Sequence, residues 1–235
     1  MTFSATQRVG EIVAAFPGAS NLFKAYGIDF CCGGGRSLEV ALQEKGVAPG
    51  TFLSQLQAAY ETYQRRMEGR QTDWRTVPLE ALIEQIITAH HQYLRQELPV
   101  LSAFTVKIAH VHGERHPELI TLQEQFHTLK AELESHMADE EERLFPLVRA
   151  YEESGSREDL TRALATLEEL EAEHQAAGSL LAAMRATTAD YLLPPDACRT
   201  YTLAFHKLEE LESDMFQHIH LENNILFERL RAAAG

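Results

Sequence analysis

Residues 136–148 read HMADEEERLFPLV, and 82 positions later residues 218–230 read HIHLENNILFERL. Both follow the pattern His-x3-Glu-x3-Leu-Phe. A step of four residues turns only about 40° around a helix, so each His shares a face with its Glu, whereas Glu141 falls about 140° from His136 and can face water. That face is otherwise apolar: Leu129, Leu133 and Leu147 accompany the first pair, and Leu211, Met215 and Leu226 the second. Ionisable groups on a core stripe are costly to bury unless they are paired or bind metal.

Two further histidines share this setting, His91 among Ile87, Leu94 and Leu98, and His174 among Leu167, Leu170 and Leu181. His91 stands 45 residues before His136, and His174 stands 44 before His218. Each helical hairpin therefore offers one His and then one His-x3-Glu, and two hairpins packed together bring four imidazoles and two carboxylates into a four-helix bundle. The plain alternative is core histidines paired with glutamates, and the matched spacings of the two copies argue against it. Six ligands with two bridging carboxylates exceed what one tetrahedral zinc needs, so iron or manganese fits better, and iron best. His127, His206 and His220 point away from the stripe and read as solvent-facing, while periodicity alone does not rank His90 below His91. Glu132, one turn before His136, and Glu173, beside His174, are candidates for orienting the ligands.

Four segments with a 3.6-residue period, 78–112, 117–151, 157–187 and 196–231, are bounded by Gly113, Gly155 and Pro194-Pro195. Ser156 and Asp159 form a capping box, and Pro99 and Pro146 are expected to kink their helices. Ahead of them, residues 1–63 carry short apolar stretches punctuated by Pro17-Gly18, Gly33-Gly34-Gly35 and Pro49-Gly50, a small helical domain. Residues 64–76 read as the linker and 77–235 as the bundle. No stretch alternates with period two, so the fold class is all-α. With 21 Lys and Arg against 35 Asp and Glu the net charge is −14, which argues against nucleic acid and anionic membranes as partners. The N-terminus lacks a secretory apolar segment, and three cysteines, two of them adjacent, suit a reducing compartment, so a cytoplasmic location is expected.

The string HMADEEERLFP (136–146) resembles the second-helix signature of hemerythrin-like domains. The oxygen carriers place His-x3-His on the third helix and His-x4-Asp on the fourth; here Gly178 lies four after His174, and Glu222 and Asn223 lie four and five after His218. YGIDFCCGGGRSLEVA (26–41), WRTVPL (74–79) and HIHLENNILF (218–227) extend the likeness over nearly the whole chain, which is similar to the iron–sulfur cluster repair di-iron proteins. The resemblance implies two iron ions in an oxo- and carboxylate-bridged centre, held by His91, His136, Glu140, His174, His218 and Glu222, with the glutamates as bridges. It also selects His91 over His90. The implied partners are iron–sulfur proteins damaged by nitric oxide or peroxide, with nitric oxide or oxygen as small ligands; a homodimer is left open.

In this reading Cys31 and Cys32 pass iron or a nitrosyl group to the damaged cluster. Adjacent cysteines are expected to share one tetrahedral metal poorly, and a disulfide between them would be strained. A helix beginning after Ser37, together with Arg36, is expected to lower a thiolate pKa. Cys198 reads as a packing residue at the start of the last helix. Two other functions compete: a nitric oxide or peroxide reductase, and a sensing module for oxygen or nitric oxide. Ferritin-like iron oxidation fits less well, since of the four core histidines only His174 has a glutamate, Glu171, three residues before it.

Overall fold

The structure, a computed structural model, describes residues 2–67 and 72–235, the side chains of 63–67 excepted. It divides into two compact units, Met1–Leu82 with Phe216–Gly235, and Ile83–Met215. The grouping of the last twenty residues with the N-terminus is a feature that the expected division, 1–63 and 77–235, does not contain.

In the first unit, helices α1 (Val9–Ala15), α2 (Ala19–Ala25) and α3 (Leu38–Glu44) are short because turn residues interrupt them, and a longer helix, α4 (Pro49–Met67), follows. Pro17-Gly18 separates α1 from α2, and Ser37 caps α3 by accepting a hydrogen bond from Val40 N at 3.4 Å. The expected linker, 64–76, is helical as far as Met67; residues 68–71 lie outside the described residues, and 72–76 are non-helical. Burial of aromatic rings supplies much of the core: Phe16, Phe23 and Phe52 are almost wholly enclosed, with Phe23 and Phe52 centred 5.3 Å apart. Backbone bonds join the starts of α1 and α3, Val9 N donating to Arg36 O at 3.0 Å and Gly10 N to Gly34 O at 2.8 Å. Among the described residues there is no strand, only an isolated antiparallel bridge between Arg8 and Ser37.

Four long helical stretches follow, matching the periodic segments: α5 (Leu79–Gln85) and α6 (Gln92–His112); α7 (Glu118–Asp139) and α8 (Phe145–Ser154); α9 (Arg157–Thr187); α10 (Arg199–Leu221) and α11 (Phe227–Ala234). Within the second unit neighbours run antiparallel. Contacts from His90 to Asp214, Glu97 to Lys207 and His112 to Cys198 show α10 descending as the stretch through α6 rises, and His136 to Glu173 with Arg143 to Glu169 show the same for the stretch that continues α7 against α9. Gly155 takes a left-handed φ of 69° at the end of α8, and Ser156 then caps α9 by accepting from Asp159 N at 3.2 Å.

Three of the four stretches widen into a π-helical turn: Ile86–His91, Glu140–Leu144 and Glu222–Leu226. Such insertions carry i→i+5 bonds and redirect side chains. The first ends on His91, the second begins on Glu140 and the third on Glu222. Pro146 lies two residues beyond the end of the second, and its missing N–H suits a locally loosened ladder; the third has no proline, so proline is not the common cause. Pro99 lies inside α6, which continues through it.

Candidate metal centre and cysteine loop

In the unit formed by Ile83–Met215, Glu140 is the hub. It is fully buried, His91 Nε2 lies 3.3 Å from its Oε2 and His136 Nε2 lies 3.5 Å from the same oxygen. His174 Nε2 is 2.9 Å from His136 Nε2. The outer ring nitrogens are held by other carboxylates, His91 Nδ1 by Glu141 at 2.6 Å and His136 Nδ1 by Glu173 at 2.7 Å. An imidazole that donates its Nδ1 proton outward turns an Nε2 lone pair inward. Among the described residues, neither oxygen of Glu140 receives a hydrogen bond. Acceptors therefore converge on one another in a buried space, and that arrangement calls for a cation. Burial by itself would push the Glu141 carboxyl up, but hydrogen bonds from Arg95 and His91 outweigh it and hold the carboxyl below its usual range.

The other unit carries the second His-x3-Glu. His218 Nε2 lies 2.8 Å from Glu222 Oε1, and both residues are fully buried at the junction of α10 and the third π turn. The intervening face of this stretch points elsewhere. His220, expected to face solvent, is buried with its ring 6.1 Å from that of Phe30, and burial lowers its pKa to about 4. Periodicity within a bundle does not reveal that a helix has a second covered side.

Asn224, one turn after His220, donates through Nδ2 to the carbonyls of Cys31 at 3.0 Å and Phe30 at 3.4 Å. It thus holds the cysteine loop, and a Cβ at Gly34 would meet Asn224 Oδ1 at 2.3 Å and the Phe30 carbonyl oxygen at 2.6 Å. Asp29 braces the loop from within: its Oδ1 accepts from Cys31 N at 2.9 Å and from the Cys31 thiol at 3.2 Å, while Oδ2 accepts from Gly33 N at 2.9 Å. Two sequence expectations are corrected here. The sulfurs of Cys31 and Cys32 point to the same side, 3.9 Å apart, so adjacency does not prevent them from sharing an ion. The Cys31 thiol is raised, not lowered, by its hydrogen bond with Cys32, by burial and by the charge of Asp29; Arg36 instead binds Glu44 and the Gly33 carbonyl.

Residues 82–230 match the family described as "Hemerythrin HHE cation binding domain", and residues 5–60 match "Domain of Unknown function (DUF542)". The iron-sulfur cluster repair protein ScdA of Staphylococcus haemolyticus is 34% identical over 94% of this chain and 96% of its own length. YtfE of Escherichia coli O81, also named an iron-sulfur cluster repair protein, is 34% identical over 96% of this chain and 97% of its own. The chain belongs to the iron–sulfur cluster repair protein family. Its cation-binding domain contains buried His and Glu clusters that fit metal binding.

Several residues of this family member differ in placement from the sequence reading. Glu141 is half-buried and does not simply face water: at the start of the π turn it meets His91 Nδ1, and Arg95 Nη2 secures it at 2.8 Å. His90 is buried too, but turns to Asp214 at 2.9 Å. Of the two candidate orienting carboxylates, Glu173 reaches His136, whereas Glu132 is exposed. His127 is half-buried, 3.1 Å from Ser102 Oγ. Cys198 precedes α10, is exposed, and its sulfur meets His112 Nε2 at 3.2 Å, so it is not a packing residue. The one signal for Glu141 was Arg95, four residues after His91, a cation placed to steady a carboxylate there.

Proposed function

We infer that this chain repairs iron–sulfur clusters damaged by nitrosative or oxidative stress, as the names of its relatives say of them, and that its bundle holds two irons. In this reading His91, His136, Glu140, His174, His218 and Glu222 would hold the two ions, with Glu140 and Glu222 as the shared carboxylates. The observation that carries this reading is Glu140: a fully buried carboxylate with no hydrogen-bond donor among the described residues, flanked by two imidazoles whose outer nitrogens are already held. Iron bound there would supply electrons and an open position for a small ligand such as nitric oxide or oxygen. The protein's own contribution is to aim the imidazoles, through Glu141 and Glu173, and to exclude bulk water by burial.

Cys31 and Cys32, in the N-terminal domain 1–63, exchange iron or a nitrosyl group with the damaged protein, and the reaction takes place in the cytoplasm. No helix among the described residues is long and apolar enough to cross a membrane. Elemental analysis of anaerobically purified protein tests the core of the reading. About two irons per chain are expected in the wild type, and fewer in Glu140→Gln. A metal-free chain, or one zinc, would sink it. The Cys31→Ser, Cys32→Ser double variant is expected to keep its bundle iron and lose repair of a damaged cluster.

A further inference from the structure

The cysteine loop has the dimensions of a metal site of its own. Two thiolates bound to one tetrahedral ion at bond lengths of about 2.3 Å stand about 3.8 Å apart, and a thiolate and a carboxylate oxygen stand about 3.5 Å apart. The Cys31 and Cys32 sulfurs are separated by 3.9 Å, and Cys31 Sγ lies 3.2 Å from Asp29 Oδ1. One ligand atom from each of the three residues lies within 4.8 Å of the others. Two of the three are braced by the loop itself. Both Asp29 oxygens are fixed by backbone N–H groups, and the Cys31 carbonyl is pinned by Asn224.

We propose that Asp29, Cys31 and Cys32 form a third metal site, tetrahedral with one open position, for a borderline divalent ion such as iron(II). Cys31 is buried while Asp29 and Cys32 are half-buried, so the open position lies on their side and the ion is approached from there. On binding, the two thiol protons pass to solvent and both sulfurs coordinate as thiolates; no electron is transferred. Two thiolates and a carboxylate leave the loaded loop with a net charge of −1, and two sulfurs with one oxygen suit iron(II), zinc or cobalt(II) better than magnesium or calcium. An ion held by three protein ligands is easier to release than one closed in by four, which suits a loading or delivery point. That purpose rests on the repair reading; the site itself rests on the loop.

Cobalt(II) is the probe. Full-length protein with its bundle metal in place is titrated anaerobically, and the thiolate-to-cobalt charge-transfer absorption is followed. One cobalt per chain is expected to develop the band, Cys32→Ser to abolish it, and Asp29→Asn to weaken binding by about tenfold or more. Absence of the band in the wild type, or unchanged affinity in Asp29→Asn, would overturn the proposal. Circular dichroism identifies a misfolded variant, and Cys31→Ser provides the second sulfur test in that case. Glu140→Gln separates this proposal from the bundle reading: it should lower bundle iron and keep the cobalt band. Wild type that shows the band without bundle iron would sink the di-iron reading alone.

Discussion

A single carboxylate can decide how tightly an imidazole grips a cation, because the Nδ1 proton must have somewhere to go. Glu173 accepts a hydrogen bond from His136 Nδ1 at 2.7 Å, although 38% of its own side chain is exposed. Glu173→Gln keeps an acceptor but removes the charge, and losses of about 10–100-fold in metal affinity are typical of such changes. The expected outcome is faster loss of iron to a chelator, followed by absorbance, with Glu132→Gln unchanged because Glu132 is exposed. Equal behaviour of the two variants would remove Glu173 from the centre. The spacing of His136 to Glu140 was legible because a four-residue step fixes a shared face. Glu173 was legible only as one of two neighbours, since which carboxylate reaches across helices depends on packing that no local pattern encodes.

Loops show their constraints through what cannot be added to them. Gly34 lies against the Asn224 amide and the Phe30 carbonyl, and the second of these is backbone that cannot rotate aside. Gly34→Ala should therefore push the cysteine loop off its support, costing on the order of 1–3 kcal/mol of stability in chemical denaturation. It should also raise the rate at which the buried Cys31 is alkylated, read by mass spectrometry. A stability equal to the wild type would show that the loop yields freely. Helix limits fell close to the sequence expectation because Gly113, Gly155 and the two prolines mark them plainly. The π turns did not, since their residues, IITAHH, EEERL and ENNIL, share no common pattern that marks a widened turn.

At the scale of the whole molecule, stability against pH gathers the buried titrating groups. Tyr191 sits in a loop with a left-handed φ of 56°, the Arg185 guanidinium lies 5.1 Å above its ring, and its buried hydroxyl has no hydrogen-bond partner among the described residues. Burial, helped by the charge of Glu212, raises the phenol well above its ordinary value of 10.0. The unfolded chain then releases this proton near pH 10 while the folded chain retains it, so stability falls as pH rises past about 10. Tyr191→Phe should flatten that alkaline limb in thermal melts at several pH values. At neutral pH it should be neutral or stabilising by about 1 kcal/mol, because it removes a buried hydroxyl without a partner. A wild-type alkaline limb that survives the substitution would assign it to other groups.

The two stretches matched separately, 5–60 and 82–230, suggest parts that can be exchanged between proteins, yet residues 216–235 belong with the N-terminal helices. One short stretch there carries His218 and Glu222 at one register and His220 and Asn224 at another, the latter two set against Phe30 and the Cys31 carbonyl. A recombinant cut at the apparent boundary would strip the cover from Phe30 and from the last helix together. Shuffling of such genes is thus constrained in pairs: a lineage that acquires a new front end must also acquire a compatible tail, and the two should be inherited as one.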